Sequence, residues 1–307
     1  MKIYLNNVKE SWIIDRLRSD WYKHNKLNTS SNQYLADIIW IISPWVWKKL
    51  SKKQLEKKFV VCTIHHIDFN KFDDHEEKDF YERDKFVDFY HVISLKTKSQ
   101  LEELTDKKII SLPFWVDPST WFYIDNKESL KKDYGFSEKD FVIGSFQRDT
   151  EGSDLTSPKL IKGPDIFLKI AEDMFNANEN VKILLTGKNR NYLIENLTNK
   201  SIPFKYLEMV DLKQLNELYN LLDLYVVSSR VEGGPQAILE CAASKTPIVS
   251  TDVGVASEIL HQDSIYSPGT FDNAKSNVEY AFSNVQKYFL PNYMNKFIEM
   301  FEENYNL

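Results

Sequence analysis

The stretch Ser228–Glu240 reads SSRVEGGPQAILE and follows the apolar run Leu222–Val227. The apolar run has the length and composition of a buried strand. Two glycines and a proline then precede a run of helix-forming residues. Proline suits the first turn of a helix because its missing N–H costs nothing there. The stretch therefore predicts a strand–loop–helix junction, which is the repeating unit of an α/β fold.

The same junction predicts a binding site for an anion. Glycines leave backbone N–H groups uncovered, and the N-terminus of a helix attracts negative charge. Glu232 lies in the loop, and Glu240 lies about one and a half helical turns after Pro235. Carboxylates on both sides of a phosphate-binding backbone suit a nucleotide sugar, which carries hydroxyl groups on both sides of its diphosphate. A plain strand–turn–helix with surface carboxylates is the alternative.

The composition is that of a folded protein with two domains of ordinary size. The chain has 307 residues, of which 42% are hydrophobic and 27% charged. A net charge of −6 argues against a nucleic-acid binder. No apolar run has the length of a membrane span, and the start MKIYL reads as a first strand rather than as a signal peptide. Cys62 and Cys241 lie in apolar runs, which predicts buried free thiols and a cytoplasmic protein.

Apolar runs alternate with amphipathic segments along the whole chain, which predicts parallel sheets covered by helices on both faces. We expect an N-terminal domain over residues 1–115 and a nucleotide-sugar-binding domain over residues 116–285. A helix over 286–307 either caps the second domain or crosses back to the first. The predicted strands are Ile3–Leu5, Ile38–Ile42, Val60–Ile64, His91–Ser94, Ile109–Leu112, Phe141–Phe146, Val181–Leu185, Phe204–Leu207, Leu222–Val227 and Ile248–Ser250.

Two further loops carry residues that bind phosphate. Arg148 follows the strand Phe141–Phe146, and Lys162 precedes a Gly-Pro helix entry. Arginine binds phosphate oxygens bidentately, lysine binds them as a point charge, and the carboxyl edge of a parallel sheet is where such a ligand lies. Gly187 follows the strand Val181–Leu185 and would let a ligand approach the backbone, although an ordinary turn explains it equally well.

Two features of the first half are open to more than one reading. His65 follows the strand Val60–Ile64, at an edge that can face a cleft, although a plain loop histidine is the alternative. Residues 45–59 carry six lysines beside Trp45 and Trp47. Such a segment can rest on an anionic membrane surface, whereas a solvated helix face is the simpler explanation. Peripheral contact with the inner membrane face therefore stays open.

The order of these motifs resembles the retaining glycosyltransferases of family 4, which have the GT-B architecture of two Rossmann-like domains with parallel sheets that face each other across a cleft. The resemblance covers Phe141–Leu260 and rests on the Arg-bearing loop, Lys-Gly-Pro-Asp, the Thr-Gly strand end and the two glutamates eight positions apart. The first domain is shorter than is usual in the family and lacks its glycine-rich loop. Lys9, Glu10 and Trp12 stand at that place and are candidates to line a reduced acceptor cleft.

The resemblance implies roles for individual residues. Arg148 and Lys162 would hold the donor diphosphate, and Glu240 would bind the ribose. Glu232 would contact the transferred sugar, and His65 would lie near the reacting carbon. The remaining donor contacts would come from Gly187, Met209, Val210, Gly233 and Gly234.

The expected activity is transfer of a sugar from a nucleoside-diphosphate sugar, of the UDP or GDP type, to a hydroxyl acceptor. The acceptor would be a glycan, a lipid-linked glycan or a small molecule, and no metal or other cofactor is expected. Surface-glycan or glycolipid synthesis is the expected context. A nucleotide-sugar epimerase or a glycan phosphorylase of the same fold is one alternative. A catalytically silent nucleotide-sugar-binding subunit is another.

Overall fold

The chain divides into two compact units. A computed structural model describes residues 1–7, 13–152 and 155–305. The first unit comprises Met1–Trp115 together with Leu290–Leu307, and the second comprises Val116–Phe289. The second unit is therefore inserted into the first. From the sequence, the domain boundaries were predicted after residues 115 and 285.

The first unit is built on five parallel strands that lie in the sheet in chain order. They are β1 (Ile3–Leu5), β2 (Ile38–Ile41), β3 (Phe59–Ile64), β4 (Phe89–Val92) and β5 (Ile109–Ser111). Between them lie helices α1 (Ile13–His24), α2 (Lys52–Leu55), α3 (Asp74–Asp84) and α4 (Leu95–Leu101). The strand predicted over residues 91–94 lies two residues earlier in the structure, at Phe89–Val92. Ser94 caps α4 by accepting a hydrogen bond from the Thr97 N–H, so the strand ends before it.

Both faces of this sheet are covered. Side chains alternate between the faces of a strand. Ile39 and Ile41 belong to one buried cluster with residues of α2, α3 and α4. Trp40 lies on the other face, where its ring centroid is 5.3 Å from that of Trp21 in α1 and 5.2 Å from that of Phe301.

Besides α1, the C-terminal helix, Met294–Tyr305, also packs over Trp40. Phe297 and Phe301 of this helix are completely buried, and burying a phenylalanine side chain contributes about 1.5–3 kcal/mol. The hydroxyl of Tyr293 donates a hydrogen bond of 3.0 Å to the carbonyl of Pro113. The segment from Leu290 onward is therefore an integral part of the first unit.

A chain of buried hydrogen bonds crosses the Trp40 face. The indole N–H of Trp40 donates to the hydroxyl of Thr63 at 2.8 Å, and that hydroxyl lies 2.9 Å from Nδ1 of His91. Nε2 of His91 lies 2.7 Å from the carbonyl of Leu112. A carbonyl can only accept, so Nε2 carries the ring proton. Burial lowers the pKa of His91 to about 3.

The second unit contains a six-stranded parallel sheet. Its strands are β6 (Phe141–Ser145), β9 (Val181–Thr186), β10 (Phe204–Leu207), β11 (Leu224–Val227), β12 (Ile248–Thr251) and β13 (Ile265–Tyr266), and a small antiparallel ribbon is formed by β7 (Thr150–Glu151) and β8 (Ser157–Pro158). The order in the sheet is β10-β9-β6-β11-β12-β13.

Seven helices of the described chain belong to this unit. They are α5 (Lys127–Asp133), α6 (Pro164–Ala177), α7 (Asn191–Asn199), α8 (Leu212–Leu221), α9 (Gln236–Ala243), α10 (Ala256–Ile259) and α11 (Val278–Val285). The C-terminal helix of the first unit is then α12. The buried core joins Ile143, Ile183 and Val226 of the central strands to Phe167 of α6 and Leu193 of α7.

Two glycines let the loops of the second unit approach one another. Gly163 has a φ of +61°, and a Cβ atom there would lie 1.8 Å from the carbonyl oxygen of Ser228. Gly254 has a φ of +49°, and a Cβ atom there would lie 2.1 Å from the carbonyl oxygen of Gly233. Both contacts are with backbone, which has no room to move aside. The loops after β11 and before α6 therefore meet backbone to backbone.

We expect the first unit to lose stability in acid through His91. Unfolded histidine has a pKa of about 6.5, so the unfolded chain binds more protons than the folded one between about pH 6.5 and pH 3. Stability is then fully present above pH 6.5 and falls as the pH is lowered through this window, by up to about 1.4 kcal/mol per pH unit for one group. The variant His91→Gln should show a shallower dependence between pH 4.5 and 6.

The measurement is urea unfolding followed by tryptophan fluorescence, because six of the seven tryptophans lie in the first unit. His75→Gln, a change at an exposed histidine of α3, is the matched control. Identical slopes for the parent chain and His91→Gln would contradict the assignment.

We expect Gly163→Ala to destabilise the second unit well beyond ordinary backbone strain. The matched control is Gly269→Ala, because Gly269 also has a positive φ, +93°, but a Cβ atom there meets nothing within 4 Å. The control should lose about 1–2 kcal/mol from its left-handed backbone alone. Gly163→Ala must in addition push Ser228 away, so its melting temperature should fall several degrees further. Equal melting temperatures for the two variants would show that the contact is not tight.

Candidate functional site

Three neighbouring strands of the second unit carry the candidate residues at their carboxyl ends. In the sheet β6 lies between β9 and β11. Arg148 follows β6, Gly187 follows β9, and Glu232 follows β11. Because the strands are parallel, their carboxyl ends lie at one edge of the sheet, which is where open α/β sheets bind ligands.

Lys162 and Glu232 form an ion pair at this edge. The ammonium group of Lys162 contacts Oε1 of Glu232, and the two side chains are only 19% and 12% exposed. Lys162 ends a short 3-10 turn directly before Gly163, and Glu232 lies four residues after Ser228. The close approach of Gly163 to Ser228 therefore brings the two charges together. The sequence predicted both residues as site residues but not their contact.

Gln147 and Ser229 complete this cluster and were not predicted. The side-chain amide of Gln147 donates to the carbonyl of Lys162 at 2.8 Å. The hydroxyl of Ser229 lies 3.1 Å from Oε1 of Gln147 and 3.3 Å from Oε1 of Glu232. Four side chains from three separate segments thus share one network. The available signal in the sequence was a polar residue next to Arg148 and another three positions before Glu232.

A second ion pair fixes the start of α6 to the loop after β11. Nη1 of Arg230 lies 2.8 Å from Oδ1 of Asp165, and Nη2 lies 2.6 Å from Oδ2. The paired Arg230 guanidinium and backbone N–H groups at the N-terminus of α6 lower the pKa of Asp165. The backbone N–H of Arg230 also donates to the carbonyl of Ile161 at 2.8 Å. These bonds hold the loop of Lys162 against the loop of Glu232.

Glu240 lies inside the protein, on α9. Its side chain is 4% exposed, and Oε2 accepts a hydrogen bond of 2.8 Å from the hydroxyl of Tyr219 in α8. Burial and the nearby carboxylate raise the pKa of Tyr219 well above its usual value, so this hydroxyl remains a donor. The carboxylate predicted to bind ribose is therefore oriented by a buried tyrosine.

The other predicted donor contacts lie along the same edge. Gly233 and Gly234 join Glu232 to the start of α9, where Gly254 supports their peptide group. The carbonyl of Gly187 accepts a hydrogen bond of 3.0 Å from the hydroxyl of Tyr206. Met209 and Val210 lie between β10 and α8, and Met209 is 59% exposed.

His65 belongs to the first unit and follows β3. Nε2 lies 2.8 Å from the carbonyl of Ile42, so Nε2 carries the ring proton and Nδ1 is free of it. The ring centroid is 5.6 Å from that of Trp45 and 5.9 Å from that of Phe114. Burial lowers the pKa of His65 to about 4. At neutral pH the ring is therefore uncharged.

The segment 45–59 is divided between interior and surface. Trp45 is 51% exposed, but Trp47 is buried and donates to Asp79 at 3.0 Å, so only one of the two indole rings lies at the surface. Lys48 pairs with Asp79 at 2.6 Å. The exposed lysines of the segment are Lys48, Lys49, Lys52, Lys53 and Lys57. The acceptor candidates Lys9, Glu10 and Trp12 lie outside the described residues.

The described part of the chain holds neither a candidate metal cluster nor a helix fit to cross a membrane. Within residues 1–7, 13–152 and 155–305, no three His, Cys, Asp or Glu side chains are grouped so as to hold a metal ion. In the same ranges, none of the helices has both the length and the apolar character that crossing a bilayer requires.

Part of the second unit is similar to known proteins. Residues 155–278 match the family model described as Glycosyl transferases group 1. A curated relative, the alpha-galactosylglucosyldiacylglycerol synthase of Streptococcus pneumoniae, is 23% identical over 193 residues, which cover 57% of this chain and 46% of that protein. The match thus spans less than half of the relative's length.

Solved structures agree along nearly the whole chain. Anabaena Alr3699/HepE, in complex with UDP and glucose, superposes with a TM-score of 0.74 at 14% identity and covers 98% of this chain and 99% of its own. Sucrose-phosphate synthase from Thermosynechococcus elongatus gives a TM-score of 0.72 at 12% identity, covering 97% and 80%. The predicted α/β fold with two Rossmann-like parallel sheets is confirmed and matches that of solved GT-B glycosyltransferase structures, and residues 155–278 match the glycosyl transferases group 1 model.

Proposed function

We propose that this protein is a glycosyltransferase that moves a sugar from a nucleoside-diphosphate sugar to a hydroxyl acceptor with retention of anomeric configuration. The observation that carries the proposal is the Lys162–Glu232 ion pair at the carboxyl edge of the second sheet, within the matched residues 155–278. It sets a cation for phosphate beside a carboxylate for sugar hydroxyls. The neighbour solved with UDP and glucose supports the same ligand class.

Arg148 and Lys162 would bind the donor diphosphate. As the bond between the sugar carbon and the diphosphate oxygen breaks, negative charge grows on the leaving group. Fixed cations stabilise that charge, which is electrostatic catalysis. The incoming hydroxyl would attack from the face that the leaving group vacates and pass its proton to the departing phosphate. The two cations would supply the positive charge without a metal ion, so a chelator should leave the activity intact.

The two glutamates would hold the two ends of the donor. Glu240, oriented by Tyr219, would bind the ribose hydroxyls. Glu232 would exchange its contact with Lys162 for the hydroxyls of the transferred sugar once the diphosphate binds Lys162. Gly187, Met209, Val210, Gly233 and Gly234 would line the base, the phosphates and the sugar. The uncharged ring of His65 would lie near the reacting carbon, with Lys9, Glu10 and Trp12 on the acceptor side.

A glycan or glycolipid acceptor fits the pneumococcal relative, whose name gives a glycosylated diacylglycerol as its product. Such an acceptor would place the protein in the cytoplasm at the inner face of the membrane. The exposed lysines 49, 52, 53 and 57 beside Trp45 would then contact anionic lipid.

Activity is tested with a panel of UDP- and GDP-sugars and hydroxyl acceptors, and the anomeric configuration of the product is read by NMR. Inversion would contradict the retaining mechanism. Turnover of the nucleotide sugar without an acceptor would favour an epimerase, and dependence on inorganic phosphate would favour a phosphorylase. Binding without any turnover would favour a silent subunit.

We expect Arg148→Met and Lys162→Met each to weaken the binding of UDP, or of GDP if only GDP binds, by about tenfold to a hundredfold. The reason is that a hydrogen bond to a charged group contributes about 1.5–3 kcal/mol. Calorimetric titration gives the affinities. Lys169→Met, which removes an exposed lysine of α6, is the matched control.

Glu240→Gln should weaken nucleotide binding as well. Glu232→Gln, in contrast, should spare UDP and abolish the extra affinity of the UDP-sugar. The donor-site assignment fails if Arg148→Met, Lys162→Met and Glu240→Gln all bind with the parent affinity.

We expect the double variant Lys52→Glu/Lys53→Glu to bind phosphatidylglycerol vesicles at least about thirtyfold more weakly than the parent chain in a sedimentation assay, because each basic residue near such a surface contributes about 1 kcal/mol and two are removed. The double variant Lys132→Glu/Lys139→Glu makes the same change of charge at exposed positions of the second unit and is the control. Equal sedimentation of the parent and both variants would remove the membrane contact from the proposal.

A further inference from the structure

A buried ion pair lies directly beside Arg148. Nε of Arg190 is 3.0 Å from Oδ2 of Asp149, and the two side chains are 0% and 2% exposed. Removing two charges from water costs several kcal/mol per ion before their attraction offsets it. Consistent with this cost, burial raises the pKa of Asp149 to about 6 although the Arg190 charge opposes the rise. Such a pair contributes little net stability, so its effect on the position of the surrounding loops matters more.

The pair joins the loops after two neighbouring strands. Asp149 lies in the loop after β6, and Arg190 lies between β9 and α7. The carbonyl of Asn189 adds three hydrogen bonds between the same loops. It accepts from the backbone N–H of Asp149 at 2.9 Å, from the backbone N–H of Thr150 at 3.2 Å and from the hydroxyl of Thr150 at 3.1 Å. The segment 149–150 is thus attached to the β9 loop by backbone and side chain alike.

The same segment holds the guanidinium of Arg148. Nε and Nη2 of Arg148 lie 3.3 Å and 3.2 Å from the carbonyl of Thr150. A guanidinium has five N–H donors, so one side can contact this carbonyl while the other binds phosphate. The direction of Arg148 therefore depends on where Thr150 lies, and Thr150 is held by Asn189 and by the neighbouring ion pair.

We propose that Arg190 is a positioning residue for donor binding: through Asp149 it fixes the segment 148–150, so that the Arg148 guanidinium is directed at the donor diphosphate. The inference rests on the proposed function, because it takes Arg148 as a phosphate ligand. A cation that is already held in place loses little freedom when the donor binds, and this raises affinity. Arg190 itself touches neither donor nor acceptor, being fully buried.

The test is a double-mutant cycle on the full chain, read by calorimetric titration with UDP, or with GDP if only GDP binds the parent. The first change is the neutral pair Asp149→Asn/Arg190→Gln, which removes both buried charges and leaves two amides that can still hydrogen bond. The second change is Arg148→Met. A residue that acts through another has no effect once that other residue is gone, so the two changes should not be additive.

We expect the neutral pair to weaken UDP binding at least fivefold in the parent chain and less than twofold in the Arg148→Met background. Thr150→Val removes one bond to Asn189 without touching a charge and should weaken binding about twofold to threefold, again only when Arg148 is present. Thr29→Val removes a comparable hydroxyl-to-carbonyl bond, to Asn25 of the first unit, and should leave binding unchanged. Melting curves verify that each variant is folded.

Equal losses in both backgrounds would overturn the inference, because Arg190 would then act by another route. Parent affinity for the neutral pair and for Thr150→Val, with a loss for Arg148→Met, would overturn the inference and leave the proposed function standing. Parent affinity for Arg148→Met would overturn the role of Arg148 as a phosphate ligand and the inference with it. If the neutral pair fails to fold, Thr150→Val decides alone.

Discussion

The candidate site depends on one contact, the approach of the Gly163 backbone to the carbonyl of Ser228. A Cβ atom at residue 163 would collide with this carbonyl, so the loop before α6 and the loop after β11 meet backbone to backbone. Lys162 precedes this contact by one residue and Glu232 follows it by four, which forces opposite charges together. The Arg230–Asp165 ion pair then fixes the two loops from the other side. The charged side chains at this edge of the sheet are therefore held in one defined arrangement.

This arrangement gives Lys162, which the proposed function assigns to the donor diphosphate, a partner of opposite charge. A half-buried ammonium group without a partner would be costly, and Glu232 supplies the partner in the chain as it stands. A diphosphate carries at least as much negative charge as the Glu232 carboxylate, so it would be able to replace Glu232 as the partner of Lys162. Glu232 would then keep a partner as well, because the hydroxyls of the sugar would bind it. Under the proposed function, a single pair of side chains would therefore contact both the diphosphate and the sugar of the donor.

Much of this could be read from the sequence, and what could not has physical reasons. The parallel strands and the loops of Arg148, Lys162 and Glu232 were predicted, because buried strands are apolar and glycines stand where backbones approach closely. The contacts of Gln147, Ser229 and Arg190 could not be predicted, because they join segments up to 82 residues apart and depend on the order of strands in the sheet. Strands as short as β13 carry too few residues to form a pattern, and no periodicity shows that Trp47 lies inside and Trp45 outside.

The insertion of the second unit into the first has a consequence for biosynthesis. The sheet of the first unit is complete once Ser111 has been made, but Phe297 and Phe301, which cover Trp40, follow about 190 residues later. At the usual rates of synthesis that interval lasts about ten to forty seconds. A nascent chain must therefore carry an uncovered aromatic surface while the second unit emerges and folds, and chaperones that recognise exposed aromatic side chains have their longest opportunity to bind during this interval.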